Sequence, residues 1–362
     1  MKTTFLFLII VINFSYLNGV VEIKQLETIH IKQDKVYLRE ILKFSVTEDE
    51  YFIFPDSRAG DIKIYNNKGN LEKLWGRRGS GPNEFHKPKY CDYKNRYFIL
   101  MDWGKFKLQL FKREKGLDFK VLSENFIPAL GYDIIYIDNE NFLISGYKKA
   151  ADSKEYELYL LNPKKKEEIY LLPAYIKYGC SSEREYENKY LSDIAPVSIH
   201  GYCDYINGTI YYSWKGALRI LKIDSKTKKI NEFGKNTGKF ITPTVSGEMR
   251  KLYNQRDKGR EEFLRKMSFV TGIFADESFV GVLFVNYDPK KEGWQTWVQF
   301  YTLDGRFLDE KVLPDAINIS TYPEQFFSYV RNKKVLYFLS WIIDPAMEDV
   351  YKIIKYQINI RP

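Results

Sequence analysis

The chain is poor in the residues that build metal and redox sites. Its 362 residues include three histidines and three cysteines, with no Cys-x-x-Cys pair and no Cys/His cluster at zinc spacing. A histidine-rich metal site would therefore need nearly every histidine in the chain. An odd number of cysteines leaves at least one unpaired within the chain, although Cys180 and Cys203 could form a bridge. We predict no metal and no cofactor.

Long apolar runs are equally scarce. The run Phe5–Ile12 follows Lys2 and is shorter than the ~20 apolar residues that a membrane-spanning helix needs. A short apolar run behind a positive charge is typical of a secretion signal, and a buried first strand is the alternative. Residues 1–19 are thus predicted to be a cleaved signal peptide, with the protein exported to the periplasm or outside the cell. No later run is long enough to span a membrane.

The charge balance excludes another class of partner. Lys and Arg number 56 against 47 Asp and Glu, which gives a net charge of +9. Such a mixed surface with a basic excess suits acidic ligands but is not typical of a dedicated nucleic-acid binder. Aromatic residues make up 17% of the chain, with 29 tyrosines, and they favour sheet over helix.

A repeat runs through the sequence. The segment Tyr-Cys-Asp-Tyr occurs at 90–93 and again at 202–205, each time followed by a short apolar run. Comparable leading runs, bounded by turns, recur along the chain at 51–54, 97–101, 142–144, 209–214, 279–285 and 335–341. A second run follows each of them, and all except the last also have a third, so the pattern predicts units of four short strands.

Six such units fit the chain, and the last lacks its outer strand. Val20–Ile31 alternates weakly and could supply that strand, which would leave no long edge open. We therefore predict an all-β fold, a six-bladed β-propeller formed by residues 20–362, with the N-terminal strand closing the last blade. Extra length falls at about 173–196 and 234–268, and the second stretch predicts a short helical insertion after Val245.

The glycine-rich segment Trp75–Pro88, WGRRGSGPNEFHKP, could be mistaken for a nucleotide site. A P-loop requires a Lys-Ser/Thr pair leading into a helix, and a dinucleotide fingerprint must also open a helix. Here prolines and a strand-like segment follow Gly81 instead. The segment is thus predicted to link two blades, with glycines at positive φ, Phe85 inserted between the blades and Pro88 starting a strand.

The same segment carries a family resemblance. GRRGSGPNEFHKPKY (76–90) resembles the glycine-rich connection of NHL-like propeller repeats, and the whole chain resembles bacterial six-bladed β-propellers that are exported and mostly uncharacterised. The resemblance implies a propeller with a binding face and does not imply a reaction. Some NHL-type propellers are metal-dependent lyases, and this chain departs from their histidine-rich pattern.

Propeller geometry predicts where a ligand would bind. Loops that leave the second strand of each blade share one face with the loops that join consecutive blades. Aromatic platforms beside cations suit a sugar ring, an acidic glycan or a peptide, although each tryptophan could instead fill a gap between blades. The candidate ligand-binding residues on this face are Arg58, Arg77, Arg78, His86, Trp103, Lys105, His200, Trp214, Lys215, Trp294 and Trp341.

Residues on the same face that could take part in catalysis or metal binding also have structural interpretations. His86 and His200 could act as a metal ligand or general base, but hydrogen-bonded structural histidines are commoner. Cys91 and Cys203 occupy equivalent repeat positions, which favours packing over a nucleophile. Four aspartates follow strands there and suit local turns better than a glycosidase pair, namely Asp56, Asp102, Asp288 and Asp344.

Three functions fit this pattern. The first is an exported binding module for a carbohydrate or peptide, and the second is a metal-dependent lyase or glycoside-acting hydrolase that uses the same face. The third is a structural protein that docks another exported protein. Fold alone does not separate them, because propellers host many chemistries. The aromatic and basic rim favours binding.

Overall fold

The structure is a computed structural model that describes residues 20–33, 36–127, 130–138, 141–151, 154–177, 201–242, 261–262, 264–318, 326–343 and 349–361. The predicted signal peptide, His200, Cys180 and most of the predicted helical insertion lie outside these residues. No helix in the described part is both long and apolar enough to cross a membrane.

The described part of the chain starts with β1 (Val20–His30), and a four-stranded antiparallel sheet follows it. Its strands run in sequence order and are β2 (Ser45–Val46), β3 (Phe52–Asp56), β4 (Asp61–Tyr65) and β5 (Leu71–Trp75). The glycine-rich segment follows as two short parallel strands, β6 (Arg77–Arg78) and β7 (Glu84–Phe85).

Three further four-stranded antiparallel sheets follow. The second sheet consists of β8 (Pro88–Lys94), β9 (Tyr97–Asp102), β10 (Lys107–Arg113) and β11 (Phe119–Phe126). The third consists of β12 (Leu130–Tyr136), β13 (Phe142–Lys149), β14 (Glu155–Asn162) and β15 (Glu167–Pro173), and a short helix α1 (Ala174–Lys177) follows it. The fourth consists of β16 (Gly201–Ile206), β17 (Thr209–Trp214), β18 (Ile220–Asp224) and β19 (Ile230–Phe233).

The rest of the chain forms an eight-stranded sheet that also takes in β1. Its strands are β20 (Phe269–Ala275), β21 (Phe279–Asp288), β22 (Gly293–Thr302), β23 (Phe307–Asn318), β24 (Phe327–Val330), β25 (Val335–Ile343) and β26 (Asp349–Arg361). A single parallel pairing, between Asn318 and Trp341, joins β23 to β25. As the sequence predicts, β1 pairs with β26 along its length, so the two ends of the chain share one sheet.

The sheets are arranged as a β-propeller. The first strand of each unit lies innermost, and these strands contact one another in order, with β8 against β12, β12 against β16 and β16 against β20. β24 also contacts β2, the first innermost strand. We call the face at which β8 begins and β9 ends the loop face, and the opposite face, where β8 ends at Lys94, the turn face. Strands dominate the described residues, and helix is scarce.

Aromatic clusters between the sheets hold the fold together. Trp75, at the end of the first sheet, makes an edge contact with Phe85 and stacks on Phe119 of the second sheet at 5.0 Å between ring centroids. Phe85 is fully buried in this cluster, and Pro88 opens β8, so the linker prediction for 75–88 is confirmed. Of its glycines, Gly76 has a positive φ of 77°, whereas Gly79 leaves room for the Glu84 carboxylate.

Candidate functional site

A pocket on the loop face collects part of the predicted site. It has a volume of about 450 Å³ and is lined by Arg78, His86, Lys87, Trp103, Gly104 and Phe106. Ligand pockets commonly span about 300–1,000 Å³, so this one is large enough for a small ligand or for one unit of a longer one. We call it the Trp103 pocket.

A buried carboxylate holds the two walls of the Trp103 pocket together. Asp102 accepts hydrogen bonds from the backbone N–H groups of His86, Lys87 and Gly104, at 2.8, 2.8 and 3.0 Å. At Gly104 the walls approach so closely that an added Cβ would lie 2.4 Å from the Cβ of His86. Only glycine fits there, so residues 102–106 and 86–87 are fixed relative to each other.

The aromatic part of the pocket is partly fixed and partly exposed. The indole Nε1–H of Trp103 donates to the carbonyl of Gly131 at 2.9 Å, and the Lys89 ammonium lies 4.0 Å from the ring centre. Phe106 is 46% exposed and lies near Phe126, which is 69% exposed. The exposed phenyl ring and the partly exposed indole, one face of which lies under the Lys89 ammonium, give a ligand apolar surface to contact.

Basic groups surround these rings. The Arg78 guanidinium donates to the carbonyl oxygens of Ser57 and Arg58, and the ring Nε2 of His86 lies 3.2 Å from the Ser80 hydroxyl. Lys105 donates to the backbone carbonyl of Glu84 at 2.6 Å. The neighbouring Arg77 instead pairs with the Glu84 carboxylate at 2.7 Å and does not line the pocket.

The other predicted residues are not gathered in this pocket. Trp294 is 3% exposed and packs against Phe269 and Tyr287, and Lys215 is also buried. Trp214 and Trp341 are half-buried in two further clusters, and Trp341 stacks on Tyr351 at 5.9 Å. Of the four tryptophans predicted to gather at one face, Trp103 lines the pocket, and the other three occupy separate packing positions.

The aspartates on this face bind backbone. Asp56 accepts from the N–H groups of Arg39, Glu40 and Ala59 and from the Lys63 ammonium, much as Asp102 does in the next unit. Asp288 accepts from the N–H of Lys290 in a turn. These bonds support the structural interpretation of the three carboxylates, and Asp344 lies outside the described residues.

A second cavity, of about 230 Å³, lies in the central channel toward the turn face. We call it the channel cavity. Its polar lining comes from several innermost strands and the turns after them, and its apolar lining includes Val46, Ile135 and Phe274. The charged residues that line it are Lys43, Glu48, Asp92, Lys94, Asp204 and Arg331.

Two ion pairs cross this channel. The Lys43 ammonium lies 2.5 Å from the Asp133 carboxylate, and both side chains are buried. Burial alone would lower the pKa of Lys43, but the carboxylates of Asp133 and Asp92 raise it well above its usual range, so the pair stays charged. The Arg331 guanidinium pairs with Asp204 and also donates to the carbonyl of Ala275 at 2.8 Å.

Acidic side chains along the innermost strands bind the next strand in the ring. Asp92 accepts from the N–H of Tyr136, Asp133 from that of Cys203 and Asp204 from that of Ala275. Asp92 and Asp204 are the third residues of the two Tyr-Cys-Asp-Tyr segments. The repeated segment therefore marks these channel residues in the sequence through its shared aspartate, although neither aspartate was among the predicted site residues.

The two described cysteines have packing roles. Cys91 and Cys203 are buried and carry free thiols, and Cys91 lies 3.2 Å from the Ser45 hydroxyl. Burial raises the pKa of the Cys91 thiol to about 12 and also raises that of Cys203, so both stay protonated and weakly nucleophilic at neutral pH. Within the described residues no group of three or more His, Cys, Asp and Glu side chains could hold a metal ion.

Comparisons with known proteins identify the fold. No family model and no curated protein matches the chain. A solved structure of a DUF4221 family member from Bacteroides vulgatus is similar, with a TM-score of 0.63 and 12% identity over 95% of this chain and 99% of that one. A Bacteroides fragilis protein described as exported gives 0.56 and 13% identity over 94% and 95%. At such identities the likeness shows the fold alone, and that fold is a propeller.

Proposed function

We propose that this protein is an exported six-bladed propeller that binds a carbohydrate or peptide ligand at its loop face. The observation that carries the proposal is the Trp103 pocket, in which an indole held in place and an exposed phenyl ring lie beside Arg78, His86 and Lys87. Concave sites with aromatic walls and a few convergent polar groups are where proteins bind small ligands.

The count of six blades rests on the sheets. Four sheets have four strands each, and the eight-stranded sheet divides at the single Asn318–Trp341 pairing into two halves of four. One half is β20–β23 and the other is β24, β25, β26 and β1. On this division residues 20–362 form one propeller domain. The apolar run behind Lys2 supports residues 1–19 as its cleaved signal. The exported Bacteroides fragilis protein of similar fold favours the same location.

The pocket's chemistry favours an acidic sugar among the candidate ligands. The apolar face of a pyranose ring stacks on an indole, and a carboxylate or sulfate group would accept hydrogen bonds from Arg78 and Lys87. Glu84, which follows the pocket's arginine in the same segment, already pairs with Arg77 and accepts from the N–H of Gly81. A short acidic peptide with an aromatic residue would satisfy the same groups.

A thermal-shift screen of the chain from residue 20 tests the proposal. The ligands are neutral and acidic oligosaccharides, short peptides and divalent metal ions, because a ligand specific to the folded state raises Tm by mass action. We expect a shift with one sugar or peptide class, lost in Trp103→Ala and reduced in Arg78→Gln. Arg77→Gln is the matched control, since Arg77 is adjacent in sequence but does not line the pocket, and its shift should remain.

Other outcomes of the screen would replace the proposal. A shift with metal ions alone that is lost in His86→Ala would favour an enzyme at this face. No shift with any ligand would favour a protein that docks another exported protein.

A further inference from the structure

We propose that the channel cavity is a second binding site, on the opposite side of the propeller, that takes a small carboxylic acid. The site is independent of the Trp103 pocket. β8 runs from Pro88, next to that pocket, to Lys94 in the channel cavity, and its seven residues separate the two by about 20 Å at ~3.3 Å per residue.

Two of the three acidic residues that line the cavity, Asp92 and Asp204, are already used by the framework, whereas the third, Glu48, is exposed. Asp92 accepts from the N–H of Tyr93 with one carboxylate oxygen and from that of Tyr136 with the other. Asp204 accepts from the N–H groups of Tyr205 and Ala275 and also binds Arg331. Both carboxylates already accept hydrogen bonds from backbone N–H groups of the protein. Neither therefore needs a cationic ligand to complete its hydrogen bonding.

Two of the basic residues that line the cavity, Lys94 and Arg331, have donors from which no described residue accepts. Within the described part of the chain, the Lys94 ammonium has neither a hydrogen bond nor an ion pair, although the side chain is partly buried. Arg331 donates from Nε to Ala275 and from one terminal nitrogen to Asp204, and no described residue accepts from its other terminal nitrogen. Among the cations of this cavity, the available donors therefore belong to Lys94 and Arg331.

The electrostatic environment of Lys94 also favours a negatively charged ligand. Burial and then the positive charge of Arg331 lower the pKa of Lys94, although Asp92 and Asp204 act against this. A cation held close to another cation in a partly desolvated cavity gains from an anion that bridges the two. A carboxylate offers two oxygens, one for each of these donors.

Size and lining restrict the ligand further. A cavity of about 230 Å³ is smaller than the ~300 Å³ at which ligand pockets commonly begin, so a short acid suits it better than a sugar chain. The remaining walls are apolar at Val46, Ile135 and Phe274, and Tyr329 is held by its hydroxyl bond to Asp276 at 2.9 Å. A short hydrocarbon segment attached to the carboxylate fits such walls.

Titration calorimetry with succinate tests this site, with dimethyl succinate as the uncharged probe. We expect succinate to bind and its dimethyl ester not to bind. Lys94→Gln should weaken succinate binding at least tenfold, whereas Lys94→Arg should retain it. Lys112→Gln, an exposed lysine on β10, is the control and should bind like the original protein.

Two results would overturn the proposal. One is that succinate shows no binding to the original protein at millimolar concentration. The other is that Lys94→Gln, with an unchanged Tm, binds succinate as the original protein does. Trp103→Ala should leave succinate binding unchanged, so a failure of this proposal and a failure of the loop-face proposal would be told apart.

Discussion

The two ends of β8 lie in different chemical environments. At the Pro88 end, a buried aspartate binds only backbone N–H groups, and exposed aromatic and basic side chains form an open pocket. At the Lys94 end, buried aspartates bind lysine and arginine across the channel, and the cavity between them is narrow. Around β8, rigidity therefore comes from backbone capping at the loop face and from backbone capping together with ion pairing at the turn face, whereas in the first unit the loop-face Asp56 also pairs with the buried Lys63 ammonium. The unsatisfied groups left at the two ends of β8 differ accordingly.

The largest difference between the two ends should appear when an aspartate is removed from the channel. Asp133→Ala leaves the Lys43 ammonium buried without its partner, which typically costs about 3–5 kcal/mol. Urea unfolding measures this loss. Asp118→Ala, which removes an exposed partner of Lys73, is the control and should cost less than about 1 kcal/mol. Equal losses in the two variants would show that the channel pair does not stabilise the fold.

Removing the capping aspartate at the other end should cost less. Asp102→Ala leaves three backbone N–H groups without an acceptor but leaves no buried charge, so we expect a loss of about 1–3 kcal/mol in urea unfolding. The variant should also weaken ligand binding at the Trp103 pocket, because residues 86–87 lose their fixed position. Asp288→Ala, which removes one such bond, should change stability less. If Asp102→Ala lowers the free energy of unfolding as much as Asp133→Ala does, the two ends of β8 do not differ in how strongly their aspartates stabilise the fold.

A third carboxylate gives the turn face an acid-sensitive contact. Glu50 is a partly buried side chain that accepts hydrogen bonds from Lys355, Tyr337 and Lys333. Burial alone would raise its pKa, but these three donors lower it below its usual range. A lowered carboxyl pKa contributes stability above the unfolded-state pKa of about 4.3, and the contribution is lost as the pH falls through the folded value.

Glu50→Gln tests this contact. The variant should be less stable than the original protein at pH 7 by up to about 1 kcal/mol, because the contact is only partly buried. The difference should shrink below about pH 4.3, where the original protein begins to lose the same contribution. Urea unfolding at pH 7 and pH 3.5 measures it, and a difference that is equal at both values would contradict the assignment.

The smallest expected effect has the opposite sign. Lys94→Gln removes a cation that burial and Arg331 both disfavour, so the ligand-free protein should become slightly more stable, with Tm raised by no more than about 2 °C. Thermal unfolding by circular dichroism measures this. A clear fall in Tm would mean that Lys94 stabilises the fold. The residue would then have a structural role, and its assignment to ligand binding would be wrong.

The sequence predicted the strands well because their apolar runs are short and bounded by turns. It also predicted that β1 would pair with β26, since an unassigned strand at one end matched a missing strand at the other. The glycine-rich linker was identified because a phosphate loop needs a helix that the prolines at 82 and 88 do not allow. These features depend on local patterns, which a single sequence contains.

The sites were harder to predict because they depend on distances between units. Four tryptophans were assigned to one face, yet only Trp103 lines the pocket, since whether an indole packs or is exposed depends on its neighbours. The channel cavity was missed because Lys94 and Arg331 are 237 positions apart in a chain whose ring brings them together. No local motif marks such a pair.

A calorimetric titration of two variants with two ligands tests most directly whether the two ends of β8 carry separate sites. Trp103→Ala and Lys94→Gln are each titrated with succinate and with the oligosaccharide or peptide found in the thermal-shift screen. We predict that Trp103→Ala loses the second ligand and keeps succinate, and that Lys94→Gln does the reverse. If either variant loses both ligands while remaining folded, or if neither variant loses any, the assignment of separate sites to the two ends of β8 is wrong.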